Sequence, residues 1–192
     1  RFFCNGMDLP YITANMAEST KLQTEVELLL SRVLTLKVPT VAALNGHFTA
    51  AGAALGLAFD VRAMPSDGKG LFLVPGIDIG LGCSAGMTEL MKAKLPQPVW
   101  NDALCFGKRY QVAELLQHGV VSVAPPSSQL IATAVEVARS LKSKGKDAKT
   151  RETLHGIKCN LYKGVVATLG LDVGDMNFAS GTWDATGRAA KD

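Results

Sequence analysis

Two short stretches of this chain leave backbone N–H groups with nothing of their own to bond. The first is Ala50-Ala51-Gly52-Ala53-Ala54-Leu55-Gly56-Leu57-Ala58-Phe59, whose small side chains suit a helix packed close to its neighbours. The first N–H groups of a helix have no internal partner, and small residues leave them uncovered, so this end attracts partial negative charge. The second is Asn5-Gly6-Met7, where the Met7 amide follows a glycine turn. Such amides can hold an anion, though a buried Ala-rich helix touching nothing is the plainer reading. A third candidate is Gly82-Cys83-Ser84-Ala85-Gly86. It fits the G-x-S-x-G nucleophile elbow, with Asp102 and His118 or His155 downstream to complete a triad. The plainer reading makes Ser84 the cap of the helix after it. Gly80, Gly82 and Ala85 also approach a dinucleotide-binding fingerprint. No strand ending in an acid follows at the required distance, because 94–100 is basic and Pro-rich. His47 stands alone after the Asn45-Gly46 turn and reads as structural. Neither paired carboxylates nor a His/Asp/Glu cluster points to a metal.

The elements that must position these residues can be read from periodicity. Phe2–Leu9 is a strand end entering the Asn5-Gly6 turn, and 10–20 is loop or irregular helix. Leu22, Val26, Leu29, Leu30 and Val33 recur at helical spacing, which predicts an amphipathic helix over Lys21–Leu36. Pro39 ends it and leads to a buried strand at Thr40–Leu44. After the small-residue helix, strands are expected at Asp60–Ala63 and Leu71–Val74, with a loop at Pro65–Gly68 between them. Ser84 opens a helix to Leu95, and Pro96–Leu104 gives another. Val112–Gln117 is a short helix closed by Gly119, with a strand-like end at Val120–Val123. Pro125-Pro126 is the clearest boundary, dividing a mixed α/β core at 1–126 from a helical region at 127–192. That region should hold helices at Ser127–Lys142 and from about Thr150, a basic loop at Lys142–Lys149, and a poorly ordered tail from Gly174.

Composition removes whole classes of function. With 47% hydrophobic and 19% charged residues the chain can bury a core. A net charge of +3 with 6% aromatic residues gives no basic, aromatic-interleaved stripe for nucleic acid. No apolar run approaches the ~18 residues of a membrane span. Cys4, Cys83, Cys105 and Cys159 form no C-x-x-C pair, so neither a zinc site nor a disulfide framework is expected. Reduced cysteines of an intracellular protein are the default. Arg1-Phe2-Phe3-Cys4 begins mid-pattern, without an initiator Met or targeting segment, so a start cut away or lying further upstream is expected.

The pieces F-F-C-N-G-M-D-L, A-A-L-N-G-H-F-T-A-A-G-A-A-L-G-L-A-F-D and G-I-D-I-G-L occur in order over residues 2–126. Together they resemble the crotonase superfamily of enoyl-CoA hydratases and isomerases. F-G-K-R-Y-Q-V-A-E-L-L-Q-H-G-V-V resembles a further family segment. Ala-Ala-Gly in place of three glycines, His47 and D-I-G-L look most like plant-type delta-3,delta-2-enoyl-CoA isomerases. The resemblance implies a spiral of β-β-α units with a C-terminal helical region that packs subunits into trimers or dimers of trimers. It implies an acyl-CoA thioester ligand, with coenzyme A as part of the substrate and no separate cofactor. The implied oxyanion hole is the pair of N–H groups of Met7 and Ala51. Gly6, Ala50, Gly52 and Gly76 are implied as substrate-binding. Two donors aimed at a thioester oxygen stabilise the enolate, and removing one such donor costs about 2.7–4 kcal/mol.

The two glutamates used by hydratases of that family fall at Ala54 and Gly76, so two-glutamate hydration is not expected. An isomerase needs one base. If Gly76–Ile79 is extended, residues 76 and 78 share a face, and Asp78 could take that role. Glu89 is a remoter candidate. Binding of acyl-CoA without catalysis, and a serine hydrolase using Ser84, are the alternatives. The basic loop at Lys142–Lys149 could meet the phosphates of coenzyme A or remain a solvated surface. The resemblance leaves peroxisome and mitochondrion to consider; the final Ala-Lys-Asp is not a peroxisomal tripeptide.

Overall fold

Successive stretches of this chain add strands alternately to two sheets, as the computed structural model, which describes residues 2–171, shows. β1 (Phe2–Cys4) begins one sheet. β2 (Val41–Ala43) belongs to the second, and β3 (His47–Thr49) returns to the first beside β1. β4 (Val61–Ala63) then pairs in parallel with β2, Val41 opposite Val61, while β5 (Leu71–Leu73) pairs in parallel with β3. The first sheet closes with the antiparallel β6 (Tyr110–Gln111), giving the order β1-β3-β5-β6. Each turn thus contributes one strand to each sheet and then a helix, which is the expected spiral of β-β-α units.

The core runs through this stacking. Phe48, Phe72 and Tyr110 lie side by side across β3, β5 and β6, their ring centroids 5.3 and 6.2 Å apart, all essentially buried. Cross-strand aromatic pairs of this kind stabilise a sheet beyond the area they bury. The helix of small residues, α3 (Ala51–Ala58), lies against this layer with Ala53, Ala54 and Leu57 fully buried. It can approach because its glycines leave space. A Cβ on Gly52 would sit 2.3 Å from the Cys4 carbonyl oxygen, so only glycine lets α3 meet β1.

Several boundaries differ from the sequence reading. Residues 9–14 form a helix, α1 (Leu9–Ala14), because Asp8 caps it through the Tyr11 N–H. The long amphipathic helix α2 starts earlier than expected, at Met16, and ends at Leu34. Gly76–Ile79 is not extended. It is a helical turn, α4, in which the Asp78 and Ile79 N–H groups both donate to the Pro75 carbonyl, ended by Gly80 at φ +68°. α5 (Ala85–Lys94) follows its Ser84 cap as expected. The helix expected at 96–104 is a 3-10 turn at Gln97–Val99 and then a π-helical turn at Asn101–Cys105, where Phe106 N–H reaches back to Asn101. α6 (Val112–Gln117) is as read, but the strand-like end at 120–123 shrinks to a single bridge between Ala63 and Val123.

α7 spans only Leu130–Ser140, preceded by a 3-10 turn at Ser127–Gln129. The basic loop is half helical, with a 3-10 turn at Lys142–Gly145 before Asp147 caps α8 (Ala148–Leu161). A further helix, α9 (Lys163–Thr168), is too short to show a period in the sequence, yet Val165, Val166 and Leu169 are buried in the main core. α8 is tied to the spiral by polar contacts. Lys158 meets Asp60 at 2.6 Å, and His155 Nδ1 donates to the Thr35 carbonyl at 2.6 Å. The expected tail from Gly174 lies outside the described residues.

Candidate active site

The site is assembled where β1, β3 and β5 end. Ala50 joins β3 to α3 in a conformation that L-residues rarely adopt, φ +52° and ψ −128°, which costs about 1–3 kcal/mol. Neighbouring bonds hold it there. Its N–H donates to the Leu73 carbonyl at 3.0 Å, while its own carbonyl accepts from Ala53 at 2.9 Å and Ala54 at 3.3 Å. The Ala51 N–H, first in the helix, therefore has no partner within α3. The glycine turn is pressed against the same point. Gly6 has φ +91°, and a Cβ built on it would lie 3.1 Å from the Ala51 nitrogen. Thr49 Oγ1 donates to Asn5 Oδ1 at 2.8 Å and clamps the two segments together. No protein acceptor is found for the Met7 N–H among the described residues.

Met7, Ala50 and Ala51 open onto a cavity of about 240 Å³. Val74, Pro75 and Gly76 close it from β5, and Leu81, Gly82, Cys83 and Ser84 from the loop before α5. Among the described residues its wall carries no Asp, Glu, Lys, Arg or His, and its one ionisable side chain is Cys83. Nothing in the sequence singles out that thiol, because a cysteine between glycine and serine carries no distinguishing spacing. Burial pushes its pKa up, although Cys83 as a residue is exposed. A second, apolar groove of about 450 Å³ shares Met7 and Ala51 and is lined by Leu22, Val26, Leu29, Leu30 and Leu55. Gly6 borders this groove, whereas Gly52 is turned to Cys4.

The candidate acids lie elsewhere. Asp78 does not line the cavity, because the helical turn carries its carboxylate toward Gly107, whose Cβ position is 3.3 Å from Asp78 Oδ2. The shared face expected of 76 and 78 in an extended strand is therefore corrected. At Gly76 itself no side chain fits, since a Cβ would come within 2.3 Å of the Leu81 carbonyl oxygen. Ala54 is fully buried in the core, so an acid there would face apolar neighbours. Glu89 pairs with Lys92 at 2.7 Å on the outer side of α5.

The triad is not assembled either. Ser84 accepts from the Met87 N–H at 3.2 Å as a helix cap. Asp102 faces Lys108, His118 lies edge-on to Tyr110, and His155 is bound to Thr35. Among the described residues no group of three or more His, Cys, Asp or Glu gathers where a metal could sit.

The two-sheet spiral agrees with what comparison finds. Residues 1–155 match the family described as Enoyl-CoA hydratase/isomerase. The chain belongs to that family. Among curated relatives, the rat mitochondrial enoyl-CoA hydratase domain-containing protein 3 is 36% identical over 145 residues, covering 73% of this chain and 47% of the relative. The peroxisomal enoyl-CoA delta isomerase 2 of Arabidopsis thaliana is 29% identical over 181 residues, covering 90% and 74%. The chain thus spans about half the length of the rat relative. A solved enoyl-CoA hydratase of Mycobacterium ulcerans shares the fold with a TM-score of 0.78 at 20% identity, covering 88% of this chain and 72% of that one. Among the described residues of this family member, no helix is long and apolar enough to cross a membrane.

Proposed function

We propose that this enoyl-CoA hydratase/isomerase family protein binds an acyl-CoA thioester with its carbonyl oxygen between the Met7 and Ala51 N–H groups, and that its reaction is the shift of a 3-enoyl-CoA to the 2-enoyl isomer. The observation that carries the reading is the pair of unpartnered amides facing one cavity. Loss of a C2 proton places negative charge on the thioester oxygen, where two fixed N–H dipoles at the start of α3 stabilise it. Reprotonation at C4 is not hydration, so no second carboxylate is required. The apolar groove beside Met7 and Ala51 offers a place for the acyl chain.

The proton carrier is the demanding part. Asp78 reaches the cavity only if α4 unwinds, whereas Cys83 is already on the wall. A second reading, thioester binding without turnover, is favoured by one specific observation, the absence of any carboxylate from the cavity wall among the described residues. Both readings predict binding of acetoacetyl-CoA in calorimetry, and a protein that does not bind it contradicts both. Conversion of a 3-enoyl-CoA, followed by the absorbance of the conjugated product, separates them. Turnover supports the isomerase, and binding with no product supports the non-catalytic reading.

A further inference from the structure

The loop at 80–83 is a wall of two cavities at once. Leu81, Gly82 and Cys83 line the thioester cavity, and they also line a neighbouring cavity of about 380 Å³. The far side of this second cavity is Leu104 and Cys105, at the end of the π-helical turn. Two free, exposed cysteines therefore line one space. The other cysteines are placed differently. Cys4 is half-buried in β1, and Cys159 is buried with its sulfur 3.6 Å from His155 Nε2.

The two thiols differ in what holds them. A Cβ on Gly80 or Gly82 would meet nothing within 4 Å, so open space adjoins the segment that runs from the Leu81 N–H, bonded to the Gly76 carbonyl at 2.9 Å, to the Ser84 cap. Cys105 is on a turn fixed by Phe106 N–H to Asn101 at 3.1 Å and Lys108 N–H to Asp102 at 2.9 Å. The two cysteines line one cavity with open space beside the 80–83 segment, which leaves room for the approach a disulfide needs.

We propose that Cys83 and Cys105 form a reversible disulfide that controls the acyl-CoA cavity, with a hydroperoxide as the oxidant. The control rests on the reading of that cavity given under Proposed function. One thiolate attacks the peroxide O–O bond, forming a sulfenic acid and releasing an alcohol or water. The second sulfur then displaces hydroxide from the sulfenic sulfur, which leaves as water with the thiol proton. Two thiols are oxidised by two electrons and the peroxide is reduced by the same two. The new bond draws the 80–83 loop toward the π-helical turn and away from Met7 and Ala51, opening the wall that holds the thioester.

The test uses the full chain, reduced and then treated with hydrogen peroxide. Titration of thiols under denaturing conditions should fall from four to two, the four cysteines less the bridged pair. Non-reducing peptide mapping should recover Cys83 joined to Cys105 within one chain. Affinity for acetoacetyl-CoA should fall by about tenfold or more, because the loop no longer closes the site, and dithiothreitol should restore it. Cys105→Ser should bind like the reduced wild type and keep its affinity after peroxide. No cross-link, an intermolecular cross-link, or a cross-link with unchanged affinity overturns the proposal. A reduced protein that fails to bind acetoacetyl-CoA overturns the reading of the cavity instead, whereas a binding protein without the cross-link overturns the disulfide alone.

Discussion

Ala50 shows how closely the site depends on single residues. Its positive φ is imposed by the bond to Leu73 and by the two helix N–H groups that its carbonyl receives. Ala50→Gly relieves the strain but frees the unfolded chain, so it should stabilise the protein by about 1 kcal/mol net in urea unfolding. The acids are decided at the same scale. In the isomerase reading Asp78→Asn leaves turnover within about twofold, since its carboxylate faces Gly107. Turnover should instead climb with pH through the alkaline range, because burial raises the Cys83 thiol and its thiolate grows only there. Cys83→Ala should remove that climb while acetoacetyl-CoA binding persists; a flat profile in the wild type, or loss of turnover in Asp78→Asn, would contradict the assignment. Free N–H groups at Met7 and at the start of α3 could be expected from the sequence, because glycine turns and small-residue helix starts leave a mark, whereas their pairing was implied only by the family resemblance. Cys83 left none, since only the fold brings the 80–83 loop back to Met7.

Among the elements, the junction of α3, β4, α5 and α8 has its own pH signature. Lys94 lies 2.8 Å from the Tyr162 hydroxyl and above its ring, and burial, then Arg62 nearby, push its pKa down to about 8. The unfolded chain keeps this proton to 10.5, so between about pH 8 and 10 it binds more protons than the folded state. Unfolding free energy should therefore rise across that window and not change through this group below it. Tyr162, whose pKa is raised by burial and then by Asp60, ends the gain above its ordinary value near 10. Lys94→Met should flatten the rise in urea titrations at pH 7, 8 and 9.5. None of this was readable from spacing, because Asp60, Arg62, Lys94 and Lys158 meet only through tertiary packing. The helices α2, α5 and α6 were readable, because periodicity and caps are local. The turn α4 was not, since Gly76-Ile77-Asp78-Ile79 alternates like a strand, and the Pro75 carbonyl and Gly80 decide otherwise.

For the whole molecule, the spiral was legible through family resemblance, while strands of two or three residues such as β3 and β6 were too short to carry a pattern of their own. Apolar side chains remain exposed on α7 and α8, notably Ile131, Ile157 and Leu161. If these faces join subunits as the resemblance implies, sedimentation equilibrium should give three chain masses or six, and Ile157→Asp with Leu161→Asp should give one; a wild-type monomer would contradict that assembly. The central claim concerns two backbone amides, and backbone amide NMR reads them directly. On titration with acetoacetyl-CoA, the Met7 and Ala51 signals should show the largest downfield shifts in the protein, as both gain an acceptor. Saturable binding that leaves these two amides unmoved would contradict the account.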